Sequence, residues 1–267
     1  MDGVNAGTNT PMLQVQGLSR SFGGLAALRD VSFTVSPGEI VGLIGPNGAG
    51  KTTAFNVISG VMPPTAGRVL FENTDISGQL PSRIVTYGLA RTFQSTSTYS
   101  DVSVVENIHR GLLTRLAGTW VRRVTGRRSH LLTTSEVEIE IERLLDLLDM
   151  AAWRDARAGS LAYGLQKKLG IAVALACRPR MLLLDEPAAG LNHEECKELG
   201  RFLRRLRDEE GITLLLVEHH MALVMELCQR IVVLVQGEKI AEGAPQDIAE
   251  NPAVIEAYLG APDYAHA

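Results

Sequence analysis

Apolar and polar positions change rhythm three times along this chain. At Leu13–Gln16 and Val31–Val35 they alternate, the period of strands with one face in a core and one in water. Arg68–Phe71 is a further short strand candidate, and Pro37-Gly38 makes a turn before the apolar run Ile40–Ile44. A small antiparallel sheet leaning on a larger core is expected. From Val104 to Met150 helical patterns dominate. In Glu136–Met150 the residues Val137, Ile141, Leu144, Leu145 and Leu148 fall on one helix face. After Pro179 strands and helices alternate. Met181–Leu184, Ile212–Val217 and Ile231–Val235 are continuous apolar runs, as buried parallel strands require, and Leu199, Phe202, Leu203 and Leu206 mark a helix between them. No internal repeat and no low-complexity tract interrupts the order.

Candidate chemistry sits where the Ile40–Ile44 strand ends. Gly45-Pro46-Asn47-Gly48-Ala49-Gly50-Lys51-Thr52 fits the phosphate-binding pattern G-x-x-x-x-G-K-[ST], with Thr53 and a helix-compatible stretch behind it. Glycines let successive backbone N–H groups turn inward around phosphate oxygens. The helix start adds its positive end. Lys51 suits the β- and γ-phosphates, and the Thr52 hydroxyl suits Mg²⁺. A Gly-rich turn before an ordinary helix is the plainer alternative.

A second signal is Met181-Leu182-Leu183-Leu184-Asp185-Glu186-Pro187. It puts two carboxylates at the C-terminal end of a buried strand, the edge where open α/β sheets bind ligands. Asp185 suits Mg²⁺ through water, and Glu186 suits a general base for attacking water.

Composition narrows the class. The 267 residues are 45% hydrophobic and 21% charged, which is globular, and a net charge of −4 gives no support for a nucleic-acid partner. Cys177, Cys196 and Cys228 are far apart and read as free thiols. No apolar run reaches the ~18 residues of a membrane helix. Met1–Met12 is polar and reads as a flexible tail rather than a signal peptide. Any membrane role is therefore expected through partners. Arg115–His130 holds Arg115, Arg122, Arg123, Arg127 and Arg128 with no acid; it reads as a solvated loop or as a contact with lipid headgroups or a membrane partner.

With these residues in view the chain resembles the ATP-binding cassette family from about Leu13 to Gly260. Further motifs fit in order. Phe22 stands where the family places an aromatic that stacks on adenine. Gln94, in Arg91-Thr92-Phe93-Gln94, matches the glutamine that touches Mg²⁺ and leads into the helical lobe. Leu161-Ala162-Tyr163-Gly164-Leu165-Gln166 matches the signature, usually Leu-Ser-Gly-Gly-Gln, so Ala162, Tyr163 and Gly164 fall at nucleotide-binding positions. Ala189-Gly190-Leu191-Asn192 occupies the loop after the second acid, and His219 matches the switch histidine on the γ-phosphate.

The resemblance implies an α/β fold: a P-loop core with a parallel sheet (13–93 and 180–260), a small antiparallel subdomain, and a helical signature lobe (94–179). Arg91–Gln94, Leu161–Gly164, Glu186–Asn192 and the tail Asn251–Gly260 look like the larger ATPase subunit of branched-chain amino acid importers. That likeness implies Mg²⁺ and ATP as cofactors. It also implies two membrane permease subunits, a second cassette, an extracytoplasmic solute-binding protein, and a place on the cytoplasmic membrane face. Relatives also carry urea or short amides, and exporters share the chemistry. Long coiled-coil insertions of DNA-repair cassettes and the Asn-Lys-x-Asp of GTPases are missing from the sequence.

Several positions depart from the family. Ala162 lacks the usual hydroxyl, Leu165 replaces Gln, and Gly170 and Val173 stand where an acid and an arginine are usual; all four bear on the site this chain would complete on a partner. That erosion beside a complete loop set points to pairing with a different cassette. His220 stands where relatives tend to have an acid, and with His219 it shows no third ligand at metal spacing.

Overall fold

The computed structural model describes residues 10–92, 98–113 and 134–259. The chain opens with a long hairpin, β1 (Leu13–Phe22) and β2 (Leu25–Val35), then β3 (Ile40–Ile44) and helix α1 (Lys51–Ile58). Strands β4 (Ala66–Phe71) and β5 (Thr74–Asp75), the short helix α2 (Pro81–Ile84) and β6 (Leu89–Arg91) follow. The helical region holds α3 (104–113), α4 (Thr134–Leu147) and α5 (Tyr163–Leu175). The last part alternates: β7 (Met181–Asp185), α6 (His193–Asp208), β8 (Thr213–Val217), α7 (Met221–Leu227), β9 (Arg230–Val235), β10 (Glu238–Gly243), α8 (Pro245–Ala249) and α9 (Pro252–Leu259).

The expected α/β architecture is present. A four-stranded antiparallel sheet has the order β2-β1-β4-β5, and a six-stranded sheet has the order β10-β9-β3-β8-β7-β6. In the larger sheet β9, β3, β8, β7 and β6 are parallel, and β10 adds an antiparallel edge. The sequence reading missed β6 and β10. The hairpin β1–β2 is longer than the two alternating segments suggested, because register shifts along it interrupt the simple period.

The continuous apolar runs have a direct cause. Side chains alternate across a strand, so each central strand feeds two cores. Ile40 and Ile44, Leu182 and Leu184, Leu214 and Leu216, and Ile231 and Val233 face one cluster; Val41 and Leu43, Met181 and Leu183, Leu215 and Val217, and Val232 and Leu234 face the other. The second cluster joins the antiparallel sheet and α1 to the main sheet. The first takes in Ile108 and Leu112 of α3, Leu144 and Leu145 of α4 and Leu169 and Leu175 of α5. The helical lobe thus shares a core with the sheet. At about 1.5–3 kcal/mol for each fully buried aliphatic side chain, this two-sided burial anchors the strand ends that carry the site.

The Arg-rich segment 115–130 and the tail up to residue 9 lie outside the described residues.

Candidate functional site

Because β3, β8, β7 and β6 are parallel, their C-terminal ends share one edge of the sheet. Val217 is in register with both Leu43 and Asp185, and Arg91 with Leu183. The phosphate-binding loop leaves β3, Asp185 and Glu186 end β7, and His219 follows β8 on this edge.

The loop folds as the sequence requires. Gly45 and Gly50 have φ of 151° and 99°, and a Cβ on them would come within 2.0 Å of the Leu234 carbonyl oxygen and 2.6 Å of the Ala27 carbonyl oxygen. Only glycine fits at these two places. Asn47 and Gly48 are exposed, and Pro46, Ala49 and Thr53 form the rest of the turn and the start of α1. Lys51 curls back, its Nζ donating to the Gly45 and Pro46 carbonyls at 2.7 and 3.0 Å. Burial pushes its ammonium below the usual lysine range, while the negative charge of Glu186 pulls the other way.

Glu186 is held in the left-handed region at φ 48°, a conformation that costs a non-glycine residue about 1–3 kcal/mol. Its amide donates to the Val217 carbonyl at 2.9 Å. Its Oε1 lies 2.8 Å from Nε2 of His219, whose ring is 43% exposed. The structure thus brings together two residues that stand far apart in sequence.

Asp185 has a partner the sequence reading did not assign. Arg91, at the end of β6, donates from Nη2 to Oδ2 of Asp185 at 2.6 Å, and both side chains are buried. Nη1 of Arg91 reaches Asn56 Oδ1 at 2.7 Å and Ser59 Oγ at 2.9 Å, both on or just after α1. One guanidinium therefore ties the acid of β7 to the helix that follows the phosphate loop. The exposed Thr52 hydroxyl and the Asp185 carboxylate are hard oxygen donors, the type that suits Mg²⁺. Gln94 lies outside the described residues.

Phe22 ends β1 at the hairpin tip; it is 44% exposed, with the Arg20 guanidinium 4.8 Å from its ring centre. Ala162, Tyr163 and Gly164 open α5 elsewhere on the same chain. The Tyr163 ring sits against Gly190 in the loop after Glu186, Gly164 faces Glu195 in the first turn of α6, and one turn further along α5 Nζ of Lys167 approaches the Glu186 carbonyl at 3.4 Å. No side chain caps the start of α5, and Ala162 is exposed. By contrast α6 begins with a capping box, Asn192 accepting from Glu194 and Glu195 while its own amide donates to the Glu195 carboxylate.

Two departures from the family find a physical account. His220 caps α7: its Nδ1 accepts from the Leu223 amide at 3.3 Å, the task an acid performs at such a position. Gly170 and Val173 do not lie at the α5 start. They line a cleft of about 350 Å³ with Val85, Ala90, Tyr99 and Gly111, between the core and the helical lobe. They are near the signature in sequence, but six residues along a helix cover about 9 Å, which carries them away from its start. Leu165 does stay near the α5 start, beside Leu191.

A further residue that the sequence reading did not single out is Glu218, buried between Val217 and His219, whose carboxylate accepts from the Ala188 amide at 2.6 Å. Among the described residues no group of three or more His, Cys, Asp or Glu side chains is gathered for a metal ion, and no helix is long and apolar enough to cross a membrane.

Comparison with known proteins agrees with this geometry. Residues 28–189 match the family model described as "ABC transporter", and residues 238–264 match that of a "Branched-chain amino acid ATP-binding cassette transporter". The chain is 41% identical over 254 residues to the high-affinity branched-chain amino acid transport ATP-binding protein BraF of Pseudomonas aeruginosa, and 42% identical over 254 residues to LivG of Escherichia coli K12, which bears the same description. Each alignment covers 94% of this chain and 98% of the relative. A crystal structure of the ADP conformation of an ATP-binding cassette of an ABC transporter superposes with a TM-score of 0.81 at 31% identity, covering 94% of this chain and 99% of that one. The chain therefore belongs to the ABC transporter family, as one of its ATP-binding cassettes.

Proposed function

We propose that this chain is the ATP-hydrolysing subunit of an importer of branched-chain amino acids. The observation that carries the catalytic part is the Glu186–His219 pair at 2.8 Å, on the same sheet edge as the Lys51 loop. The solute part rests on the relatives named above and on the match of residues 238–264.

In this reading the loop Gly45–Thr53 cradles the ATP phosphates, Lys51 leaves its carbonyl partners for the phosphate oxygens, and Phe22 stacks on adenine. Mg²⁺, held by Thr52, Asp185 through water and Gln94, would neutralise phosphate charge. Glu186 accepts the proton of the attacking water, and His219 orients that carboxylate and meets the γ-phosphate. Fixed charges and donors aimed at the transferring group supply most of the rate.

Ala162, Tyr163 and Gly164 serve a partner cassette. Their helix start has no side-chain cap, and in this chain it borders the loop after Glu186. We propose a different cassette as that partner, since the signature is eroded while the chain's own loop set is complete. A tight ATP-dependent homodimer of the Glu186→Gln variant would speak against it. The apolar cleft beside Arg91 is the proposed seat for a permease segment, which would place the chain on the cytoplasmic face of the membrane. The core spans 13–93 and 180–260 and the lobe 94–179 in this scheme.

Uptake of labelled leucine by native cells carrying Lys51→Ala tests the whole. Collapse of uptake is expected. Unchanged leucine uptake, with loss of urea or short-amide uptake instead, would reassign the solute.

A further inference from the structure

The β7–β8 ladder ends at Asp185 and Val217, with one last backbone bond from the Glu186 amide to Val217. Beyond that point a side chain continues the connection. Oε1 of Glu218 accepts from the Ala188 amide at 2.6 Å, two residues past Glu186. Its Oε2 accepts from the amides of His219 at 3.1 Å and His220 at 3.3 Å. One carboxylate thus joins the two loops that carry Glu186 and His219.

Glu218 is only 2% exposed. Burial pushes its carboxyl above the usual range; the amides of Ala188, His220 and His219 pull it back, and the negative Glu186 raises it further. An acid whose folded pKa is raised favours folding at low pH and loses that contribution as pH rises through the folded value. A buried carboxyl bonded to both loops of the site is explained by what it positions.

We propose that Glu218 is a positioning residue for ATP hydrolysis, fixing the Glu186 loop against the His219 loop so that the two side chains meet. This deepens the hydrolytic reading above and rests on it. It also explains how Glu186 keeps its left-handed backbone: Glu186 itself is bonded to Val217 at the end of β8, and Ala188, two residues on, to Glu218 just past it.

Glu218→Gln replaces one acceptor oxygen by a donor, so an amide of one loop loses its partner. Glu218→Asp keeps the carboxyl group but is one methylene too short to reach both loops, and guards against a folding failure in the first variant. For both, kcat of the assembled transporter should fall about 10- to 100-fold, as misplacement of reacting groups does. The Kd of the isolated chain for ATP, measured by calorimetry, should stay within about twofold of wild type. In a His219→Ala background Glu218→Gln should slow turnover little further, since residues acting as a unit are non-additive. The proposal is overturned if the Gln and His219→Ala effects multiply, if kcat is unchanged, or if ATP affinity falls in step with kcat. Glu186→Gln run alongside separates the two levels: wild-type turnover in that variant would remove the hydrolytic reading itself, whatever Glu218 does.

Discussion

The two halves of the candidate site are built in opposite ways. Around the phosphate loop, side chains do the holding. Arg91 grips Asp185, His219 meets Glu186, and Glu218 gathers three amides, all anchored to strands buried on both faces. At the start of α5 there is almost no side-chain chemistry. Ala162 is an exposed methyl, the first turn is uncapped, and the donors on offer belong to the backbone. Beside it in space, where Gly164 faces Glu195, α6 shows what a self-sufficient helix start looks like. The difference teaches that the first half is held by its own side chains, whereas the second leaves its helix start without a side-chain cap, as the proposed phosphate contact to a partner cassette would need.

The largest expected effect removes chemistry from the organised half. Glu186→Gln should lower ATP turnover about 10²- to 10⁴-fold, the usual contribution of a general base, with ATP binding retained. Turnover and equilibrium binding measured on one preparation check it; equal losses in both would break the contrast between holding and reacting groups.

Next comes the buried ion pair. Arg91→Met leaves Asp185 as an uncompensated buried charge and should lower unfolding free energy by about 3–5 kcal/mol in urea titrations. Adding Asp185→Asn should recover part of that loss. A variant as stable as wild type would show that the first half is not held through Arg91.

A pH titration sharpens the contrast from the helical lobe. Burial opposes ionisation of Glu140, yet hydrogen bonds and charges from Arg178 and Arg143 outweigh it and hold the carboxyl below its ordinary 4.5. Such a group gives stability that is present above 4.5 and lost as pH falls through the folded value. Glu140→Gln should be less stable than wild type at pH 7, and the gap should close below about pH 4.5. A gap independent of pH would assign the effect to packing.

The smallest effect concerns helix starts. His220→Ala should cost about 0.5–1 kcal/mol, the value of a lost N-cap, and His220→Asp should restore it. Thermal unfolding at neutral pH reads both.

Much of this was legible in the sequence, and the reasons are physical. Strands buried on both faces leave unbroken apolar runs, so β3, β7, β8 and β9 announced themselves. The phosphate loop needs glycines at fixed spacing, and the acid pair follows its strand directly. Other features depended on which strands lie side by side. Arg91 finds Asp185 only because the three-residue β6 pairs with β7. Glu218 carries no motif in the sequence, and its role is visible only once its carboxylate is seen to accept from the Ala188 amide 30 residues away. β10 is polar, with Glu238, Lys239 and Glu242 on an edge, and carries no apolar period to detect. Gly170 and Val173 took their meaning from the cleft wall opposite them.

One measurement addresses the division of the site between two chains. Ala162→Asp installs a good N-cap and a negative charge at the open α5 start. The account predicts a fold stabilised by about 1 kcal/mol, unchanged ATP affinity in the isolated chain, and turnover lost in the assembled transporter, where the new charge faces a phosphate. Loss of ATP affinity in the isolated chain, or full turnover in the complex, would contradict it.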